Sequence, residues 1–573
     1  MMRNRPLLFS LFIVLCPLFA FAQGGQQAAD NSLLPEINPQ DIEIRSEFQA
    51  RFPGLRRQPI LGFNPTPRVF QIDPNRMPFM ETRDESVADI SITQLGRPDP
   101  PTRSVLTNPS RINAYLRGGF GSFISPELNG YGFYKLNDKS LVTADINLRA
   151  SDGHLDSQES GFRYMDANVK YITKLKNDLK LVVDAGALND FNYLFNLNEN
   201  NFQQNFIGET SDKTYTGGSG QVSLQKTKNT LDGWQLSAGG NLFSTTLDAG
   251  NSGLSGDLTE RVGHATFSYY WPGNHIYETF DVTASVEGGN YENDAIGSQN
   301  WIDAKASIEY ERLFNFSTRI SGKGGIEYIS DPFSSKFFFT PELEIKHNLN
   351  NALSIKGTAF ARPEIQTIQQ NHQFNRFLNV QTQLQHAYNV GATGEVNFQL
   401  FDGNRVFGGA NYRFVRDYAY YQRQNIAPSN TSGFYDVIYD NANIFEFYAG
   451  ASQQLVPEKF WFDGKVYFRS PKLDGGGNIP YEEKLGIEGA ISYKVVKALT
   501  INSWAEYIGA RRAPSANSDL SAFVLLNAGA EYQFNETFGV YAKLLNILGQ
   551  QYEVWNGYQE RPFQIFGGLT IKF

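Results

Sequence analysis

The chain has 573 residues, of which 41% are hydrophobic and 19% charged, with a formal net charge of −9. That acidic balance argues against a nucleic-acid partner, which calls for a basic face. Aromatic residues reach 14%, with 45 Phe and 29 Tyr beside 52 Gly; such a mixture suits a large antiparallel sheet.

In chain order, Arg3 and Arg5 precede an apolar run over residues 7–21, and Ala20-Phe21-Ala22 supplies a small-x-small cleavage site. Residues 1–22 therefore read as a secretory signal peptide, too short for a membrane span and followed by a processing site. The only cysteine, Cys16, lies inside it, and the bulky Leu15 before it disfavours lipid attachment. The mature chain then has no disulfide and no cysteine metal site. After the signal, no apolar run is long enough for a transmembrane helix, which needs about 18 residues or more.

Residues 23–111 hold twelve of the 25 prolines, among them Pro98, Pro100 and Pro101. Proline removes backbone donors and breaks sheets. The expectation is an irregular periplasmic or lumenal extension, with a short helix over 42–52 and brief strands over 68–72 and 87–93.

From Ile112 to the end, alternating segments follow one another. Val142, Ala144, Ile146 and Leu148 share one parity, against Thr143, Asp145, Asn147 and Arg149. Phe460, Phe462, Val466 and Phe468 oppose Asp463, Lys465 and Arg469. Leu485, Ile487, Ile491 and Tyr493 oppose Glu488, Ser492 and Lys494. Period two places each set on its own face of a strand. Lys, Asp and Arg on an inner face point to a wet lumen, so Asp145, Arg149, Asp463 and Lys465 are candidate lumen-facing residues. Connections alternate between tight Asn/Asp/Gly/Pro turns, such as 176–178 and 402–404, and longer polar stretches, such as 367–385, 422–443 and 511–521. Short turns at one end and long loops at the other are the asymmetry of outer-membrane barrels. The fold class expected for residues 112–573 is all-β, a closed transmembrane antiparallel β-barrel of about 22 strands. Closure is required because an open sheet edge in lipid leaves backbone groups unpaired.

The chain ends on Arg561-Pro-Phe-Gln-Ile-Phe-Gly-Gly-Leu-Thr-Ile-Lys-Phe573. Phe563, Ile565, Leu569, Ile571 and Phe573 share one parity; Gln564, Gly568, Thr570 and Lys572 share the other, broken by Phe566. This reads as a closing strand with a lipid face and a terminal aromatic ring, the element through which barrel-assembly machinery would engage the chain. Together with 544–552, Val554-Trp555-Asn-Gly-Tyr558 and Arg561-Pro-Phe563, it resembles the last two strands of TonB-dependent receptors. The resemblance implies a plugged transporter barrel in the outer membrane of a Gram-negative-type bacterium. Residues 23–111 depart from it: they look too short for the standard plug, and 31–36 makes a poor energy-coupling box.

No metal, cofactor or catalytic motif stands out. His154, His264, His275, His347, His372 and His386 include no pair at i, i+4 spacing, and most sit near turns or loops, as surface histidines do. Arg423 and the pair Arg511-Arg512 read as solvated loop charges. Gly118-Gly-Phe-Gly121 lies in the first strand, where glycine marks a bend or a tight backbone approach. Trp271, Tyr269, Tyr270, Phe337, Phe338, Phe339, Trp461, Tyr552 and Trp555 suit interfacial girdles, and Trp555 with Tyr558 falls in the last external loop. The expected function is that of a channel or transporter for solutes, not an enzyme, with outer-membrane lipid around it. The alternative is a non-transporting scaffold whose extension holds a periplasmic or outer-membrane protein partner.

Overall fold

The computed structural model describes residues 114–155, 159–194, 211–229, 232–249, 255–275, 277–315, 317–401, 403–427, 430–513 and 519–573. The signal, the extension and its short elements, all before residue 112, lie outside the described residues.

Strands β1 (Ala114–Gly121), β2 (Ser125–Asn137), β3 (Ser140–Ser151), β4 (Phe162–Lys174), β5 (Leu179–Tyr193), β6 (Asp212–Asn229), β7 (Asp232–Asp248) and β8 (Gly256–Pro272) come first. They are followed by β9 (Glu278–Asn293), β10 (Gly297–Phe314), β11 (Thr318–Ser330), β12 (Ser335–Phe339), β13 (Glu342–Asn348) and β14 (Leu353–Glu364). Helix α1 (Ile368–Phe374) precedes β15 (Ala387–Phe401), β16 (Asn404–Ala427), β17 (Asn430–Val456), β18 (Phe460–Leu473), β19 (Leu485–Val496) and β20 (Leu499–Ile508). The last are β21 (Phe523–Gln533), β22 (Phe538–Leu545), β23 (Glu553–Trp555), β24 (Tyr558–Gln559) and β25 (Gln564–Lys572).

Each wall strand pairs antiparallel with the next, and β25 pairs with β1 from Tyr115↔Lys572 to Gly121↔Phe566, which closes the sheet. β12 and β13 both pair with β11 and make one wall strand broken at Thr340-Pro341. β23 and β24 form a separate hairpin. The wall is therefore a closed barrel of 22 strands, 25 less one for the broken strand and two for the hairpin. Pro341 explains the break, since a residue without an N–H cannot donate to a ladder.

Alternation decides the faces. Val222, Phe267, Val286, Ile308, Ile326, Val396, Phe447, Phe468 and Ile487 are exposed on the outside. A continuous apolar band of that size is a surface for lipid rather than water. Glu287, Glu309, Glu327, Glu395, Glu446 and Lys465 occupy the opposite parity on the same strands. Phe566, which breaks the pattern of β25, turns inward and packs with Trp504 and Leu545.

Tight turns gather at the end where β1 begins and β25 finishes: Asn137 pairs with Ser140 and Phe401 with Asn404. Asn177 and Asp178 take left-handed φ of 61° and 57° in one such turn, a conformation their short polar side chains tolerate. Residues 422–443, expected as a loop, are instead hairpin: β16 and β17 stay paired up to Ala427↔Asn430, past a bulge between Val415 and Tyr418. The inner face of this hairpin is covered at Tyr435, which is buried and bridged to Leu378, so the two faces no longer divide into lipid and water and the alternation is lost.

The seam between β1 and β25 is built from glycine. Gly119 faces Gly568 across it, and a Cβ on Gly119 would strike the Tyr541 ring. The vacated strip lets β22 reach β2 over two strands: Tyr541 Oη donates to Glu127 Oε1 and Lys543 Nζ to Oε2, each at 2.6 Å. Arg117 lies 3.7 Å above the Tyr541 ring.

Candidate functional site at the barrel mouth

The end opposite the tight turns is filled by the chain itself. Residues 365–386, between β14 and β15, form a strap that carries α1 and folds against inner faces of the wall. Thr367 caps α1 through a capping box with Gln370, at 3.1 and 3.0 Å. The other first-turn amides find a wall residue: Ile368 N and Gln369 N both donate to the Glu260 carboxylate of β8, each at 2.9 Å. A carboxylate at a helix N-terminus meets free N–H groups and the positive end of the dipole.

The helix C-terminus is held from β6, seven wall strands before β14. The fully buried Lys213 Nζ bonds to His372 Nδ1 at 2.9 Å and donates to the carbonyls of Arg376 and Leu378. Burial, with Lys213 adding to it, holds the His372 pKa well below the usual range, so the imidazole is neutral. Tyr215 Oη donates to His372 O at 3.1 Å, and Tyr421 Oη of β16 to Asn371 Oδ1 at 3.1 Å.

Beyond α1 the strap adds a short parallel bridge to β17. Tyr435 N donates to Phe377 O at 2.9 Å and Asn379 N to Tyr435 O at 3.0 Å. Leu384 N then donates to Tyr291 Oη of β9 at 3.0 Å. At its end, His386 N donates to Asp331 Oδ2 at 3.3 Å while Gln366 N donates to His386 Nδ1 at 3.1 Å. Burial lowers the His386 pKa to about 4, against the opposing pull of Asp331.

Apolar burial unites these ties. Ile368, Phe377, Leu378, Val380 and Leu384 of the strap join wall residues and the last connection in one buried cluster. Fully burying such side chains contributes about 1.5–3 kcal/mol each. Phe377 stacks on Tyr558 with ring centroids 3.4 Å apart, and Arg376 pairs with Glu560 at 3.4 Å. Trp555 sits among Phe374, Tyr421, Tyr435 and Tyr481.

Several sequence expectations are corrected here. Trp555 and Tyr558 are buried in the mouth, not placed in a girdle or an open loop, because the last connection turns inward. His372 and His386 are buried rather than superficial. Arg511 is buried and donates to the carbonyls of Val554 and Glu553, and Arg423 donates to Asn556 Oδ1 at 3.0 Å. Arg511 holds the backbone of the last connection and Arg423 holds its Asn556 side chain.

The four charged candidates fall into two separate pairs. Asp145 and Arg149 lie on β3, with the Arg149 guanidinium 5.1 Å from the Tyr164 ring centroid. Asp463 and Lys465 lie on β18, with the Lys465 ammonium 5.3 and 5.2 Å from the Tyr448 and Tyr467 rings. β3 and β18 are not neighbours in the sheet. On the closing strand Phe563, Ile565, Leu569 and Phe573 are exposed and Ile571 is half-buried, while Gln564 and Thr570 are buried on the other side. The anchors Lys213, Glu260 and Tyr435 escape sequence reasoning; the capping box Thr367-x-x-Gln370 and the Phe377-Leu378 pair within a polar connection were the available signals. Among the described residues no group of three or more His, Cys, Asp or Glu could hold a metal ion.

No family model and no curated protein matches the sequence. Solved structures do match. A mutant ferric enterobactin receptor (PfeA) from Pseudomonas aeruginosa superposes with TM-score 0.63 at 12% identity, over 80% of each chain. The FrpB iron transporter from Neisseria meningitidis gives 0.64 at 9% identity, over 80% of this chain and 81% of that one. The copper transporter OprC gives 0.63 at 11% identity, over 81% and 80%. The fold is that of a TonB-dependent receptor barrel. At these identities the likeness concerns the fold, and it extends the resemblance of the C-terminal motif to the whole wall.

Proposed function

We propose that the chain is exported to the outer membrane, inserted through its C-terminal strand, and acts there as a receptor-type transporter whose mouth is closed by its own strap. The observation that carries this reading is the strap itself. It is rooted between β14 and β15, yet tied to β6, β8 and β9 on one side and to β16 and β17 on the other. A solute entering from that end meets the strap and the inward-turned last connection first. Passage then requires the strap to leave its anchors. Asp145, Arg149, Asp463 and Lys465 are proposed to line the path beneath it. The neighbours named for iron and copper make chelated metal ions the first solutes to test.

Planar-bilayer conductance tests the proposal. The full chain is expected to conduct poorly, and the double variant K213A/E260A to open a large, long-lived conductance. Folded variant barrels that conduct no better than the unaltered chain would overturn it.

A further inference from the structure

The broken wall strand leaves a notch in the outer face. β14 pairs with β13 only as far as Glu342↔Phe360, while on its other edge it pairs with β15 out to Glu364↔Ala387. β12 pairs with β11 alone. Ala361 N still donates to Pro341 O at 2.9 Å; above that rung β12 and β14 part. Unpaired strand edges at the level of lipid are costly unless something covers them.

The notch has a defined lining. Phe338 of β12 stacks on Tyr388 of β15 across the missing rungs, with centroids 4.7 Å apart, and Tyr388 Oη donates to Phe339 O at 3.3 Å. Phe337, at 78% exposure, is the most exposed large apolar residue among those described, and Phe339 is 64% exposed. Lys336 and Arg416 stand at the rim, the Arg416 guanidinium 5.9 Å from the Tyr388 ring centroid. The open space is about 530 Å³, in the range of small-ligand sites.

Height and charge select the occupant. Tyr388 is one outward position above Val390, and Val390, Val396 and Phe398 belong to the exposed apolar belt of β15. The aromatic rings thus sit at the upper edge of the belt, and the two cations sit at headgroup level. Neither cation makes a salt bridge among the described residues. Asp417 is the acidic neighbour of both. The Asp331 carboxylate nearby is already taken up by the amides of Phe333, Ser334 and His386. Both carboxylates keep their charge, but Asp331 is buried and Asp417 is half-buried and bonded to Gln385, so the exposed charges at the notch are Lys336 and Arg416, which suit an anion.

We propose that this notch is a binding site for one anionic membrane lipid, its phosphate between Lys336 and Arg416 and its acyl chains along Phe337 and Phe339. The inference rests on the membrane reading of the outer belt and is independent of transport.

Phosphatidylglycerol and phosphatidylcholine, each added to the chain in mild detergent, provide the test by native mass spectrometry. One tightly held phosphatidylglycerol per chain is expected, under conditions that strip phosphatidylcholine. Lys336→Gln and Arg416→Gln should each weaken retention about fivefold, the contribution of one cation near a phosphate. Phe337→Ala should do so without changing charge, and heat-modifiable gel mobility verifies that every variant is folded. Equal retention of the two lipids, or undiminished retention in the folded K336Q/R416Q variant, overturns the site. So does a copurifying polypeptide that cross-links to Phe337→Cys in place of lipid. A chain that binds neither lipid and stays dissolved without detergent would sink the membrane reading itself, a distinct outcome.

Discussion

Towards the tight-turn end, the inner face carries cross-strand ion pairs within reach of water: Lys170–Asp184, Arg319–Glu311, Lys356–Glu344 and Arg405–Glu395, between 2.6 and 3.3 Å. The cation of each pair is 40–55% exposed, so each pair contributes about 1 kcal/mol at most. At the mouth β6 and β8 present Lys213 and Glu260, fully or almost fully buried, and these bind backbone amides and carbonyls of the strap rather than each other. The difference is access to water. Where the lumen is wet, opposite charges pair loosely and each pair is dispensable. Where the strap excludes water, Lys213 and Glu260 are met by oriented dipoles, and losing either leaves buried polar groups of the strap stranded.

The contrast breaks most sharply at Lys213. Its removal orphans His372 Nδ1 and Leu378 O at once, while Arg376 O keeps Tyr215 Oη, and each buried polar group left unsatisfied costs about 1–3 kcal/mol. Lys213→Ala should therefore destabilise docking of the strap by on the order of 3 kcal/mol or more. Hydrogen exchange would show fast amides in 368–386 beside a protected wall. Lys170→Ala, at the wet end, should leave both regions unchanged within about 0.5 kcal/mol. Unchanged strap protection in Lys213→Ala would mean the mouth is held by apolar packing alone.

How much of this could be read in advance differs along the same line. The wall was legible because a strand with lipid on one face and water on the other writes period two into its sequence, as at 141–149 and 460–469. Phe566 breaks that rule in β25 for a reason only the fold supplies: its ring packs on Trp504, three wall strands away. The strap was not legible. His372, Asn371 and Asn375 look like an external loop, and their burial depends on Lys213, Tyr215 and Tyr421, which lie 50 or more residues away. A local pattern cannot report a partner at that separation. The 422–443 hairpin was missed for a third reason: its faces divide between water and the strap, with Phe434 and Tyr435 buried, instead of between lipid and lumen, so the pattern of the wall is lost.

The seam sharpens the comparison at a smaller scale, because there the inner surface is kept bare so that other side chains can cross it. A Cβ on Gly119 meets the Tyr541 ring and lies 2.9 Å from Gly567 O, whereas one on Gly118 meets only Leu128 at 3.6 Å. Gly119→Val should cost about 1–3 kcal/mol through overpacking and displace Tyr541 from Glu127. Gly118→Ala should be nearly neutral. Thermal loss of heat-modifiable gel mobility compares the two directly. Equal midpoints for both variants would show that the stitch from Tyr541 and Lys543 to Glu127 is incidental to closure.

The smallest expected effect concerns acidity at the mouth. His386 accepts the Gln366 amide on Nδ1 and packs edge-on to Trp301 at 5.0 Å, with Asp331 as its charged neighbour. Its pKa is lowered from 6.5 to about 4, so the docked strap disfavours the imidazolium while a released strap does not. The released form therefore binds more protons, and docking loses stability as pH falls below about 6.5 and stops losing it below about 4. At pH 6 the loss is about 1 kcal/mol, obtained from the two pKa values by linkage. His372 shifts in the same direction and adds to it. The His386 share of the strap's amide exchange should thus rise between pH 7 and pH 5, after correction for intrinsic exchange, and is read as the difference between the unaltered chain and the residue-386 variant. His386→Gln should flatten the part of that dependence due to residue 386, because glutamine keeps an acceptor for Gln366 N and cannot take up the proton.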